Sequence, residues 1–233
     1  MYKAIFFDVG DTLIRYQPTS AELYRRRLEE IGIYVTEEDA CRIEESVELC
    51  TAAQIYSEIN GAPRMGDIDF QIMIDNAILA DSAVSDITQE QRNAFFATWS
   101  LMRQEKVVVD GVFPLLEELQ KKYRLGIISN YRASLSNYLD VIRLKPYFET
   151  VVISEIIGFE KPDVRIFEAA LQEMHLLPGE CLYVGDHPFD VLGAKNAGLD
   201  VVWLQTHIKT MPEYINQKPD YILQSITELP QIL

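Results

Sequence analysis

Short, uninterrupted apolar runs separated by helical repeats restrict this chain to a narrow set of folds. The runs occupy residues 4–7, 125–128, 151–153, 182–184 and 201–204, with a weaker sixth at 221–223. They are continuous instead of alternating, which marks strands covered on both faces. Helical patterns over 113–123, 135–142, 164–175 and 191–197 lie between them. Such alternation predicts right-handed βαβ units and a parallel sheet flanked by helices.

Residues 16–106 interrupt that order, because they lack any long β-branched run and are rich in helix-start signals. Thr19-x-x-Glu22, Thr36-x-x-Asp39 and Thr88-x-x-Gln91 each have the form of a capping box ahead of an amphipathic segment. The stretch Gly61-Ala62-Pro63-Arg64-Met65-Gly66 punctuates the region and predicts a loop between two of its helices. The expected fold is therefore α/β, a Rossmann-like parallel sheet formed by residues 1–15 and 107–233, with an all-helical cap domain inserted over 16–106. A chain of 233 residues is long enough for both.

Composition narrows the partners. Hydrophobic residues make up 48% and charged residues 24%, as in ordinary folding domains. A formal charge of -15 opposes binding to nucleic acid over a broad surface, which needs a basic face. The first apolar run is cut short by Asp8, so it reads as a buried strand and not as a signal peptide or membrane span. Cys41, Cys50 and Cys181 are odd in number and lack C-x-x-C spacing, which fits reduced thiols in a cytoplasmic protein.

In open parallel sheets, ligands bind beyond the carboxyl ends of the strands. The residues immediately after the apolar runs include Asp8, Ser129-Asn130 and Gly185-Asp186, with Asp190 close behind. Three carboxylates at one sheet edge repel one another unless a hard cation neutralises them, and oxygen-only ligation suits Mg²⁺. A carboxylate so placed can attack phosphorus. Ser129 and Asn130 offer short donors to phosphoryl oxygens, and Lys161, just before Pro162, can extend its ammonium toward the carboxylates.

These residues fall into four ordered motifs: Phe7-Asp8-Val9-Gly10-Asp11-Thr12-Leu13, Ile128-Ser129-Asn130, Lys161-Pro162-Asp163 and Val184-Gly185-Asp186-His187-Pro188-Phe189-Asp190. In this the chain resembles the haloacid dehalogenase-like (HAD) hydrolases, from Tyr2 to about Leu204. The resemblance implies Asp8 as nucleophile and Lys161 as the group stabilising its charge. It implies Ser129, Asn130 and Thr12 around the phosphoryl group. It also implies Mg²⁺ held by Asp8, the Gly10 carbonyl and Asp186, with Asp190 either a ligand or an anchor for the metal's waters. The implied substrate is a small phosphorylated metabolite, with no nucleic acid or membrane partner. Oligomeric state is left open.

One departure matters. Most HAD phosphatases read Asp-x-Asp-Gly-Thr, the second Asp serving as general acid and base, whereas here Gly10 and Asp11 are exchanged. Asp11 is then the carboxylate left to move a proton from a shifted angle. His187 beside Asp186 is a lesser candidate. Relatives that cleave C–P bonds also lack that Asp, but they need a lysine in the cap, and residues 14–105 contain none. Two alternatives stand: a metal-free 2-haloacid dehalogenase-type hydrolase, or a phospho-ligand binding protein with weak turnover. A cap of this kind is expected to close over the site on hinges near 13–18 and 103–111. Arg64 and Tyr16 are the candidate specificity residues. Tyr24, Phe95 and Trp99 read as cap core, and Arg25-Arg26-Arg27 as a solvated face.

Overall fold

The computed structural model describes residues 2–101 and 103–233. The chain begins with β1 (Ala4–Phe7), β2 (Ile14–Gln17), α1 (Ser20–Glu30), α2 (Glu37–Ile59), α3 (Asp67–Leu79), α4 (Gln89–Phe96) and β3 (Glu105–Val108). It continues through α5 (Val112–Leu119), β4 (Arg124–Ser129), α6 (Leu135–Val141), β5 (Thr150–Ile153), α7 (Ser154–Ile157) and α8 (Val164–Met174). It ends with β6 (Cys181–Gly185), α9 (Pro188–Asn196), β7 (Asp200–Leu204) and β8 (Tyr221–Leu223). Two compact units result. One comprises the chain up to Arg15 with Val107–Thr206 and Thr210–Leu233, and the other comprises Tyr16–Lys106 with His207–Lys209.

The first unit is built on a six-stranded sheet in the order β5-β4-β1-β6-β7-β8, and its pairings are parallel throughout. Every residue of β1 is buried, as a strand with helices on both faces requires. Ile5, Phe7, Ile127, Leu182 and Val184 join one core with Leu115, Leu116 and Leu139 from the covering helices. Each such side chain contributes about 1.5–3 kcal/mol by leaving water. The Rossmann-like α/β architecture expected from the apolar runs is what the sheet displays. Helix α9 begins at Pro188, ahead of the expected 191, because His187 caps it and Pro188 is suited to the first turn.

In the second unit all three capping boxes form, at Thr19, Thr36 and Thr88. The Gly/Pro stretch joins α2 to α3, with Gly66 at the N-cap of α3. Tyr24, Leu28, Ile43, Val47, Ile78 and Phe95 form its core. Unlike the sequence pattern, the structure pairs β2 with β3 in a separate two-stranded sheet. The segment His207–Lys209 groups with this unit through His207 Nδ1, 3.1 Å from Glu44 Oε2, and the Lys209 N–H donated to Glu45 Oε1 at 2.7 Å. Among the described residues, no helix is long and apolar enough to cross a membrane.

The reading of Arg27 as a solvated residue is corrected. Its side chain is fully buried, with Nη1 2.8 Å from Asp75 Oδ1, Nε donating to Thr98 Oγ1 at 2.9 Å and Nη2 donating to the Phe95 carbonyl at 3.2 Å. The guanidinium also lies 4.0 Å from the Phe95 ring centroid. Trp99 Nε1 donates to Asp75 Oδ2 at 2.9 Å. Partners far along the chain thus turn a helix-surface arginine into a core group. Because breaking a buried pair leaves an uncompensated charge, Asp75→Ala should lower the unfolding free energy by about 3–5 kcal/mol. Urea denaturation followed by tryptophan fluorescence measures this, Trp99 being a direct partner of Asp75. A loss under about 1 kcal/mol would show that the pair is not what holds this unit.

Candidate active site

The topology places β1 between β4 and β6, with Phe7 level with Ile127 on one side and Val184 on the other. The first residues beyond these strands therefore meet at one edge of the sheet. Asp8 follows β1 and is tied in place by its own N–H, donated to the Val184 carbonyl at 2.9 Å. Ser129 closes β4 and is buried. Asp186 follows β6. Oxygens of Asp8, Asp186 and Asp190 lie within 4.8 Å of one another, a hard, oxygen-only donor set that fits a divalent cation.

Lys161 stands at the centre of the buried half of this site. Its Nζ donates to Asp8 Oδ1 at 2.6 Å, to Asp190 Oδ1 at 2.6 Å and to the Tyr183 hydroxyl at 3.1 Å. Burial works against the ammonium, but the carboxylates of Asp190 and Asp8 outweigh it and hold the lysine above its ordinary value. Asp8 is pushed up to about 6, chiefly by burial and with the charge of Asp190 adding, while Lys161 opposes the rise.

Asn130 fixes the backbone of that lysine. Its Oδ1 accepts from the Lys161 N–H at 2.7 Å and its Nδ2 donates to the Lys161 carbonyl at 3.0 Å. Asp190 is held from three sides. Its Oδ1 faces Lys161 and Tyr183, and its Oδ2 accepts the His187 N–H at 3.0 Å, closing the capping box that starts α9. Asp190 therefore sits inside the first turn of the helix and does not precede it. His187 Nδ1 accepts the Phe189 N–H at 3.1 Å, and burial pulls this imidazole down to about 4, so it is neutral.

Asp186 is oriented by neutral donors. Thr12 Oγ1 donates to its Oδ1 at 3.2 Å, Thr206 Oγ1 to its Oδ2 at 3.3 Å, and Trp203 Nε1 to its main-chain carbonyl at 2.7 Å. The Thr12 and Asn130 side chains, read from the resemblance as phosphate donors, are thus engaged with Asp186 and with Lys161. Thr206, Trp203 and Tyr183 had no sequence signal beyond their types.

The exchanged pair in the first motif has a backbone explanation. Asp11 has φ 49°, the left-handed region where glycine is most at ease and aspartate is among the tolerated residues. Gly10 has room: a Cβ there would lie 3.9 Å from Asp8 Oδ2, an ordinary contact. Arg64 and Tyr16 belong to the other unit. Arg64 is exposed, and Tyr16 lies partly buried with Lys106 Nζ 5.9 Å from its ring centroid.

The chain is similar to known proteins in sequence and fold. The family model for haloacid dehalogenase-like hydrolases matches residues 2–198, and the chain belongs to that family. It is 36% identical to the pyrimidine 5'-nucleotidase YjjG of Escherichia coli over 126 residues, which are 53% of this chain and 55% of that one, about half the length of each. It is 29% identical to a glyceraldehyde 3-phosphate phosphatase of Methanothermobacter thermautotrophicus over an alignment of 250 positions that covers 100% of both chains. Among solved structures, YfnB of Bacillus subtilis, crystallised bound to magnesium, superposes with a TM-score of 0.63 at 24% identity, covering 100% of this chain and 98% of that one. The protein is a hydrolase of this family, with relatives named as phosphatases.

Gly185 permits the packing of Asp190. A Cβ at this position would lie 2.4 Å from Asp190 Oδ2 and 2.8 Å from its Cβ. Gly185→Ala should therefore cost about 1–3 kcal/mol by overpacking and move Asp190 off Lys161, whereas Gly10→Ala should be accommodated. Thermal unfolding of both variants tests the contrast. Equal melting temperatures would show that Asp190 yields freely.

Proposed function

We propose that this hydrolase removes the phosphoryl group from a small phosphorylated metabolite, with Asp8 as nucleophile and Mg²⁺ as cofactor. What carries the reading is the convergence of Asp8, Asp186 and Asp190 within 4.8 Å around a lysine that lies 2.6 Å from two of them. One oxygen of Asp8 attacks phosphorus, the bond to the leaving oxygen breaks, and an aspartyl-phosphate forms. Water then cleaves it and restores the carboxylate.

In this reading Asp8, Asp186 and the Gly10 carbonyl would hold the metal, and Asp190 holds Lys161 through its Oδ1. Bound there, Mg²⁺ would offset the charge of the carboxylates and of the phosphoryl oxygens. Lys161 neutralises the nucleophile before attack and the phosphoryl oxygens during transfer. Ser129 donates to the phosphoryl group. Thr12 acts through Asp186, and Asn130 through Lys161. Asp11 is the candidate for proton transfer, and Arg64 and Tyr16 are the candidates for choosing the substrate.

The names of the two relatives, a pyrimidine 5'-nucleotidase and a glyceraldehyde 3-phosphate phosphatase, support a phosphate ester as substrate. Electrostatics disfavours the metal-free dehalogenase alternative. Three carboxylates within 4.8 Å of one another, with one ammonium bridging two of them, leave the cluster in excess negative charge without a metal, which would repel an anionic haloacid.

Two measurements test the proposal. Hydrolysis of p-nitrophenyl phosphate should stop with EDTA and return with Mg²⁺, and Asp8→Asn should reduce it to the uncatalysed background. Metal-independent chloride release from a 2-haloacid would instead establish the alternative. Separately, Gly10→Asp, whose Cβ has room at this position, should raise turnover of alkyl phosphates by roughly 10²-fold, the lower end of what a positioned acid supplies. Acyl phosphates, whose leaving groups need no proton, should change little. An equal gain on both would remove proton transfer as the step that Gly10 limits.

A further inference from the structure

The Lys161 ammonium has three N–H donors, and each faces an acceptor: Asp8, Asp190 and Tyr183. Two of these are charged and 2.6 Å away, while the third is a neutral phenol at 3.1 Å. Tyr183 comes from β6, which pairs with β1, so its hydroxyl is delivered by the same sheet that delivers Asp8. Its ring is fixed by an edge-on contact with Phe167, the centroids 5.2 Å apart. The hydroxyl lies 2.9 Å from Asp190 Oδ1 and 3.1 Å from the Ile128 carbonyl, either of which can take its proton while its oxygen accepts from Lys161. The residue is completely buried.

We infer that Tyr183 is a positioning residue, whose hydroxyl holds the Lys161 ammonium between Asp8 and Asp190 and so sets where the lysine meets the reacting group. This rests on the phosphoryl-transfer reading of the site. The physical need is specific. Two carboxylates alone leave the ammonium free to rotate about the line joining them and one buried N–H without an acceptor. A third carboxylate would satisfy that N–H but would add a negative charge beside the nucleophile. A phenol satisfies it and adds none. Burial, with Asp190 and Asp8 adding to it, pushes the Tyr183 hydroxyl well above its ordinary value, so it stays protonated.

Tyr183→Phe keeps the ring and its contact with Phe167, so the fold should persist. With p-nitrophenyl phosphate and Mg²⁺, kcat should fall about tenfold or more while KM stays within about twofold, as for an interaction used in the transition state. The distinguishing measurement is the same substitution in a Lys161→Ala background. A residue acting through Lys161 should cause no further loss there, whereas one acting elsewhere should cause its full tenfold loss again. Independently of turnover, a crystal structure of Tyr183→Phe should show Nζ displaced from at least one of the two carboxylates. An ammonium that still bridges both, or a full loss in the Lys161→Ala background, would overturn the inference. Absence of metal-dependent phosphatase activity in the wild type would sink the phosphoryl-transfer reading alone, and the crystal structure would still decide whether Tyr183 positions the lysine.

Discussion

A buried ammonium shared between two carboxylates is the interaction on which the site depends. Removing three charged side chains from water is costly unless their charges are matched and their hydrogen-bonding groups satisfied. Lys161 offsets one of the two negative charges, and Lys161, Tyr183 and the His187 N–H supply the hydrogen bonds that satisfy the carboxylate oxygens. If Lys161 is lost, the two carboxylates remain buried with no counter-charge, and if either carboxylate is lost, a buried N–H of the lysine loses its acceptor. The same arrangement that makes the cluster stable makes it intolerant of change.

Much of the fold serves to bring these groups to one point. The parallel sheet supplies Asp8, Ser129 and Gly185 from adjacent strand ends. The loop before α8 is clamped by Asn130 on both sides of Lys161, and the start of α9 is shaped by a capping box whose acidic member is Asp190. A helix cap and a site residue are here the same side chain. Gly185 lets that helix start approach the strand that precedes it.

The strands were legible because burial on both faces demands continuous apolar runs, and the helix starts because Thr-x-x-Glu, Thr-x-x-Asp and Thr-x-x-Gln carry their own hydrogen bonds. The meeting of Asp8 and Asp186 could be anticipated from their places after strands, and that of Lys161 and Asp190 from the motifs that carry them. What could not be read is what depends on register across the sheet or on distant partners. Tyr183 in an apolar run is indistinguishable from a core aromatic until β6 is laid beside β1. Arg27, in a row of three arginines, looks solvated until Asp75 and Phe95 are brought to it. The short β2 and β3, Ile-Arg-Tyr-Gln and Glu-Lys-Val-Val, have too little pattern to stand out.

The grouping of His207–Lys209 with the helical unit bears on how this architecture can be recombined. A chimera that transplants the insertion alone, cut near Tyr16 and Lys106, would leave behind the imidazole facing Glu44 and the main-chain donor to Glu45. Grafts between relatives would therefore exchange a discontinuous module of two stretches. Sequence variation in the short segment after Thr206 would be inherited together with the insertion, as if the two were a single contiguous block.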